Sequence, residues 1–384
     1  MTIYRKQLLQ IMFNKIKIIF VMNALEIGGA EKFFYDLLKH LDKEKFEPQL
    51  ATVIGGGALE NDFRALNIPL HIFGLRRVRY WSGIKQFYQL YCLFIKEKPQ
   101  IVHTQLFAAD LWGRLAAWLA RVPIIITTEQ NINYDQSWIR ELLKRITYHF
   151  AAATVAISSA VKRYARYKYN VSKEKIVVIP NDVDVEEFEQ QLALALAAKP
   201  VKTIILTVGR LVEQKGQKYL LEAFAELKNN ENFELWIVGE GPLRAVLEQQ
   251  AKELNIEKQV KFLGACRDIP ILLSQASLFV FPSLWEGLGI AVLEAAIAKV
   301  PIVASAVDGI LDIIEDNETG YLVEAGDSED LQFTIEKMLS NPGRAKFMAD
   351  VAYAKVKNNF DIKVVARKYE ELYLSFPRKR ESSE

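Results

Sequence analysis

Short runs of β-branched and other apolar residues alternate with amphipathic stretches along almost the whole chain. Residues 16–22, IKIIFVM, are followed by 30–41, where apolar positions return at helical spacing. An uninterrupted apolar run predicts a strand buried on both faces, and a helix after each strand is the βαβ rhythm of parallel sheets. The same reading predicts strands at 49–54, 70–73, 100–104, 124–128, 154–157 and 176–179, with helices notably at 84–96 and 111–119.

The rhythm restarts after an Ala/Leu-rich passage, QQLALALAAKP, with strands predicted at 203–208, 235–238, 260–263, 278–281 and 302–304. That predicts two α/β domains, each a Rossmann-like, doubly wound parallel sheet. The first spans 1–190 and the second 200–360, with a hinge at 182–200. A last helical pattern covers 362–376, within a 361–384 segment expected to pack back on the first domain. Ligands of doubly wound sheets bind beyond the carboxyl ends of the strands, so a cleft between two such domains is the expected site.

With 384 residues, 51% hydrophobic and 25% charged, the composition excludes a disordered or collagenous chain. Cys92 and Cys266 stand far apart, which supports neither a disulfide framework nor a zinc site and fits a reducing cytosol. No apolar run is long enough to span a bilayer, and the N-terminus lacks the pattern of a signal peptide. The expectation is a cytoplasmic protein. The net charge of +2 hides an asymmetry, because residues 1–180 carry 26 Lys/Arg against 14 Asp/Glu while the remainder is acidic. A basic half attracts anionic lipid, nucleic acid or phosphorylated ligands.

Three segments carry candidate chemistry. In FPSLWEGLGIAVLEAAIAKVPIVAS a strand leads through a glycine-bearing loop into a helix. Glu286 and Glu294 lie about 12 Å apart if both are helical, too far for a carboxylate dyad but suited to two hydroxyl contacts along an elongated ligand. Gly287, Leu288 and Gly289 at the helix start allow backbone amides to approach ligand oxygens, with the helix dipole favouring an anion. The plainer alternative is a strand-to-helix turn with surface glutamates. In TVGRLVEQKG, Arg210 and Lys215 place two cations at a strand end, suited to a diphosphate. In NALEIGGAEKFF, Gly28 and Gly29 sit between a strand and a helix; neither this turn nor VGEGP at 238–242 is G-x-G-x-x-G, so a nicotinamide site is poorly supported. His103 ends a predicted strand, where it could face the cleft with Thr104 and Gln105, or be an ordinary core histidine. No H-E-x-x-H, Walker A, G-x-S-x-G or Asp-rich metal loop occurs.

Taken together, GGAE at 28–31, IVHTQLFAADLWGRLAA, IPNDVD at 179–184, VGRLVEQKG, IVGEGPLR, VKFLG and the glutamate-x7-glutamate run resemble glycosyltransferase family 4, retaining enzymes of the GT-B fold. The resemblance runs from about residue 17 to 373. It implies that Arg210 and Lys215 hold a donor diphosphate, Glu294 binds ribose, Glu286 contacts the donor sugar, and Gly29 approaches the leaving phosphate. It also sets Cys266 and Arg267 beside the nucleobase. His103 joins the catalytic group, and Thr104, Gln105 and Asn181 are placed with the acceptor. The chain departs from relatives at Gln105 and Gln130, where histidine is frequent, at Asp182 in the IPNG pattern, and at Asp308 and Leu311 in the VGGIPE pattern.

The implied activity is transfer of a hexose from a nucleotide diphosphate sugar, UDP favoured, to a lipid-linked or saccharide acceptor in envelope polysaccharide or lipopolysaccharide assembly. No metal or other cofactor is required in this reading. The segment LRRVRYWSGIKQFYQLYCLFIKEK, with Arg76, Arg77, Arg79, Tyr80, Trp81 and Lys85, is the candidate for peripheral contact with anionic membrane at its cytoplasmic face; its alternative is a helix with a buried aromatic side. Nucleic acid is not an expected partner. A non-catalytic sugar-nucleotide binder or an epimerase of the same architecture are the competing classes.

Overall fold

The computed structural model describes residues 15–74, 80–132, 137–195, 202–227, 230–266 and 268–377. They divide into two compact units. Unit 1 holds the described residues of 1–157, 161–180 and 365–384, and unit 2 holds 158–160 and 181–364.

Unit 1 runs β1 (Ile16–Met22), α1 (Gly29–His40), β2 (Phe46–Thr52), α2 (Glu60–Ala65), β3 (Leu70–Ile72), α3 (Tyr80–Glu97), β4 (Ile101–Gln105), α4 (Phe107–Leu119), β5 (Ile124–Glu129), α5 (Trp138–Thr147), β6 (Ala153–Ala156), α6 (Ser159–Tyr169) and β7 (Ile176–Val178). Its seven strands are parallel in the order β3-β2-β1-β4-β5-β6-β7. Unit 2 begins with α7 (Val185–Leu194) and continues through β8 (Thr203–Val208), α8 (Gln217–Ala225), β9 (Phe233–Val238), α9 (Arg244–Glu253), β10 (Val260–Gly264), α10 (Ile269–Gln275), β11 (Leu278–Phe281), α11 (Ile290–Ile297), β12 (Ile302–Ser305), α12 (Asp308–Leu311), β13 (Tyr321–Val323), α13 (Ser328–Ser340) and α14 (Pro342–Asn359). Its six parallel strands are ordered β10-β9-β8-β11-β12-β13. The last helix, α15 (Ile362–Ser375), carries the chain back into unit 1.

Both sheets reverse their strand order once, between β1 and β4 and between β8 and β11, and the loops leaving those strands diverge to open a crevice. The apolar runs that predicted the strands are the reason these loops are held firmly. Ile19, Val21 and Val102 pack on Leu90, Phe94 and Ala116 in unit 1, and Ile205, Ile237 and Val280 pack with Leu220 and Phe224 in unit 2. Each such side chain contributes ~1.5–3 kcal/mol on burial. Helix α11, IAVLEAAI, is apolar nearly all round and is accordingly enclosed, packing on α14 and α7.

Three expectations are corrected. The first domain ends at residue 180, not 190, because α7 packs on α10 and α11 of unit 2 instead of serving as a linker. Residues 196–200 of the expected hinge lie outside the described residues. Strand β2 starts at Phe46, three residues before its predicted start, and β13 was not anticipated, its three residues being too short to register as a period.

Candidate active site

At the switch point of unit 2, the loop after β8 and the loop after β11 are bound together. Leu284 N donates to Gln214 O at 2.7 Å, and Gln214 Nε2 donates to Trp285 O at 2.9 Å. Gly216 has φ +61, and a Cβ there would lie 2.0 Å from the carbonyl oxygen of Pro282, so only glycine lets the two backbones meet. Lys215, the last residue before this glycine, reaches across to Glu286 and forms an ion pair with Oε1. Ser283 Oγ donates to the same oxygen at 3.0 Å. Glu286 is 6% exposed, yet its Oε2 has no hydrogen bond among the described residues. The carboxylate is thus fixed by one oxygen and open at the other. The Lys215 ammonium also sits 4.9 Å from the centre of the Phe281 ring, an apolar floor that strengthens its field.

Arg210 is exposed beside this pair, with its guanidinium unengaged among the described residues and its carbonyl held by Gln217 Nε2 at 3.0 Å. Gly287, Leu288 and Gly289 are buried, Gly289 at φ +93 as the N-cap of α11 with no capping side chain. Glu294 is the single charged residue of α11 and is half-buried. Gly309 packs on the backbone of Glu286 and Gly287, which sets exposed Asp308 within one residue of that loop. The neighbouring strand ends are stitched to it: Gly209 N donates to Val238 O at 2.9 Å and Gly239 N to Gly264 O at 2.8 Å. Cys266, half-buried just beyond, points its Sγ to Leu263 O at 3.5 Å, while Arg267 lies outside the described residues. Asn181 is buried at the start of unit 2, next to buried Asp182.

At the switch point of unit 1, Gly28 is the N-cap of α1 and offers no side chain, while the carboxyl of Glu31 takes up its own amide in the first turn. Gln105, at the end of β4, donates from Nε2 to Ala30 O at 2.6 Å and accepts from Gln130 Nε2 at 2.9 Å, pinning the first turn of α1. Gln105 and Gln130 are therefore hydrogen-bonded to each other, and Gln105 is wholly buried. Glu31, in that first turn, has its carboxyl held above the ordinary range, chiefly by burial and further by Glu26, against a hydrogen bond from its own amide.

Two site assignments are corrected here. His103 is wholly enclosed, with Nδ1 2.7 Å from Tyr373 Oη, Nε2 2.7 Å from Thr128 Oγ1, and Phe20, Phe34 and Tyr369 around the ring. Burial lowers its pKa to about 3 and both ring nitrogens are engaged, which is the environment of a core histidine and not of one facing a cleft. Thr104, on the opposite side of β4, is also fully buried and donates to Asp110 Oδ1 at 2.6 Å; it does not line a crevice. Sequence reasoning missed Ser283 and Gln214, ordinary loop residues by type, and Glu31, whose position after a glycine pair was the available signal.

Comparison with known proteins agrees with this geometry. The pattern described as Glycosyltransferase Family 4 matches residues 27–187, and that of Glycosyl transferases group 1 matches residues 194–355. The chain is 28% identical over 385 residues to an Escherichia coli UDP-Gal:alpha-D-GlcNAc-diphosphoundecaprenol alpha-1,3-galactosyltransferase, covering 94% of this chain and 97% of that protein. It is 26% identical to the capsular polysaccharide biosynthesis glycosyltransferase CapM of Staphylococcus aureus, over 81% and 86% of the two. Among solved structures, Anabaena Alr3699/HepE in complex with UDP superposes with a TM-score of 0.80 at 21% identity, covering 94% of this chain and all of that one. Two Rossmann-like parallel sheets of seven and six strands, with the Lys215–Glu286 constellation at the second switch point and both halves matched in order, place the chain in glycosyltransferase family 4, group 1, as a hexosyltransferase of the GT-B fold.

Proposed function

We propose that the chain transfers a hexose from a nucleotide diphosphate sugar, with UDP the favoured carrier, to a hydroxyl of a lipid-linked saccharide during assembly of an envelope polysaccharide. Two relatives support this reading by name, one acting on a diphosphoundecaprenol-linked sugar with a UDP-sugar donor and one in capsule biosynthesis. The observation that carries it is the half-satisfied carboxylate of Glu286, held through Oε1 by Lys215 and Ser283 and open through Oε2 to a sugar hydroxyl. Arg210 and Lys215 are the cations for the diphosphate, one through its planar fork and one as a point charge.

In this mechanism the bond from the anomeric carbon to the diphosphate oxygen breaks while the acceptor oxygen bonds to the same carbon from the same face, giving retention. The acceptor proton passes to the departing phosphate. Negative charge grows on that phosphate, where Arg210, Lys215 and the uncapped amides of α11 stand ready without a resident metal. Unit 1 takes the acceptor, and its positive charge draws the chain to the cytoplasmic face of an anionic membrane.

The test is turnover and binding across UDP-, GDP- and ADP-sugars for wild type, Glu286→Ala and Lys215→Ala. The reading requires selective turnover that falls by ~10²–10³ in both variants. Binding without turnover in the presence of saccharide acceptors would make the chain a sugar-nucleotide binder, and sugar isomerisation without acceptor would make it an epimerase.

A further inference from the structure

Helix α5 wears its polarity inside out. Lys144 and Thr147 point into unit 1, where Lys144 Nζ lies 2.9 and 2.7 Å from the two oxygens of Glu129 and Tyr148 Oη donates to Glu129 at 2.5 Å. Both partners of this ion pair are almost wholly buried, at 4% and 5% exposure. Rolling the helix to hide its apolar side would carry Lys144 into water and leave the buried Glu129 carboxylate without its countercharge, at a cost of several kcal/mol. The apolar side therefore faces solvent. Trp138 is 72% exposed, and Ile139, Leu142 and Ile146 are each about half exposed, one stripe along the helix. Trp118, at the end of the adjacent α4 and stacked on Phe150, exposes half its surface as well.

Cations surround the stripe. Apart from the buried Lys144, residues 137–170 carry six Lys/Arg and one acid, Glu141, and that acid is bridged by Lys168 of α6 at 2.8 Å. Arg140 and Arg145 are exposed on α5, while Arg166 is exposed on α6 beside Tyr167, which is 92% exposed. A tryptophan and three aliphatic side chains ringed by positive charge match the chemistry of an anionic bilayer surface, where indole favours the interface, apolar side chains enter the headgroup boundary and each nearby Lys or Arg adds attraction. The same charge opposes pairing of this face with a second copy of the chain.

We propose that this face, centred on α5, is where the protein lies on an anionic phospholipid membrane. The inference deepens the reading of a lipid-linked acceptor and rests on it for its purpose, but its test needs no reaction. It places the membrane contact on α5 and not on the expected 75–98 segment, of which 75–79 lie outside the described residues.

The experiment is co-sedimentation of the full chain with vesicles of phosphatidylglycerol and phosphatidylcholine mixed one to two, against phosphatidylcholine alone. Wild type should partition at least about tenfold better to the anionic vesicles, with a loss at high salt. Leu142→Ser/Ile146→Ser should lower that partition about tenfold, and Arg140→Glu/Arg145→Glu should lower it more. Donor turnover in vesicle-free buffer reports folding of the variants and should be unchanged, since none of these residues touches the donor site. A blue shift of tryptophan emission on adding vesicles, reduced in Trp138→Phe, places α5 itself in the interface. Equal partition to both vesicle types, or variants that bind as wild type does, overturns the proposal. So does a dimer that Leu142→Ser/Ile146→Ser converts to monomer, or binding to an acidic polypeptide with none to vesicles. If vesicle binding follows the variants while no sugar nucleotide is turned over, the transferase reading fails and the membrane face stands.

Discussion

Replacing His103 separates a structural from a catalytic histidine through the pH dependence of stability. Its ring titrates near 6.5 in the unfolded chain and at about 3 when enclosed between Phe34, Tyr369 and Tyr373. The folded pKa is depressed, so the unfolded chain takes up a proton first as pH falls, and stability is lost below about 6.5. With 1.36 kcal/mol per pH unit, the loss attributable to this ring is about 2 kcal/mol at pH 5 relative to pH 8. Any folded pKa below about 4 gives nearly the same figure, because the ring then stays neutral in the folded state at pH 5. Urea unfolding followed by intrinsic fluorescence, with wild type and His103→Gln compared at both pH values, measures it. Glutamine keeps polar atoms near Tyr373 and Thr128 but does not titrate, so the variant is less stable at pH 8 and loses about 2 kcal/mol less on going to pH 5. Its donor turnover at pH 8 stays within a few-fold of wild type. The same pH slope in both proteins, or a thousandfold loss of turnover with unchanged unfolding, would refute the assignment.

The bound loops of unit 2 give two further expectations. In Gly216→Ala a methyl group would sit 2.0 Å from Pro282 O on a left-handed residue, so the loops separate; strain of ~1–2 kcal/mol should lower the melting temperature by several degrees, and displacement of Lys215 from Glu286 should cost about 100-fold in turnover. Ser283→Ala removes one of two hydrogen bonds to Glu286 Oε1 and should lower donor turnover about tenfold with an unchanged thermal melt, as calorimetry and a coupled assay would record. In unit 1, Glu129→Gln leaves Lys144 buried without its countercharge and should cost ~3–5 kcal/mol in urea unfolding; Glu129→Leu/Lys144→Met should recover much of that loss.

Most of the fold was legible because its strands are unbroken apolar runs whose period needs no partner to be seen. The unit 2 site was legible for the same local reason, since Arg210, Lys215, Glu286 and the glycines around them occupy two contiguous loops. His103 was not, because what decides its role is α15, with Tyr369 and Tyr373, more than 260 residues away in sequence. The sequence grouped His103 with Thr104 and Gln105 at a strand end and could not say that the first is covered and the last reaches Ala30. The exposed side of helix α5 was not legible for a related reason. Nothing within WIRELLKRIT says which side is buried; the pairing of Lys144 with Glu129, fifteen residues upstream, turns the apolar side outward.

Two lysine–glutamate pairs, Lys144–Glu129 and Lys215–Glu286, are alike in type; the first is the more deeply buried, and they differ in how many carboxylate oxygens are occupied. Glu129 has both filled, Oε1 by Lys144 and Oε2 by Lys144 and Tyr148, whose phenol is held protonated far above its ordinary range chiefly by burial. Nothing is left for a ligand, and the pair acts only to orient α5. Glu286 has Oε1 filled twice and Oε2 not at all among the described residues, and it stands at a strand-order reversal beside an unengaged arginine. A buried charge with one acceptor open costs desolvation energy that folding alone does not recover, and a ligand hydroxyl offsets it. The glutamine variants therefore diverge in their main readout: Glu129→Gln is read in the unfolding curve and leaves turnover of the folded fraction intact, whereas Glu286→Gln is read chiefly in turnover, with a smaller loss of stability because Lys215 keeps more contact with solvent than Lys144.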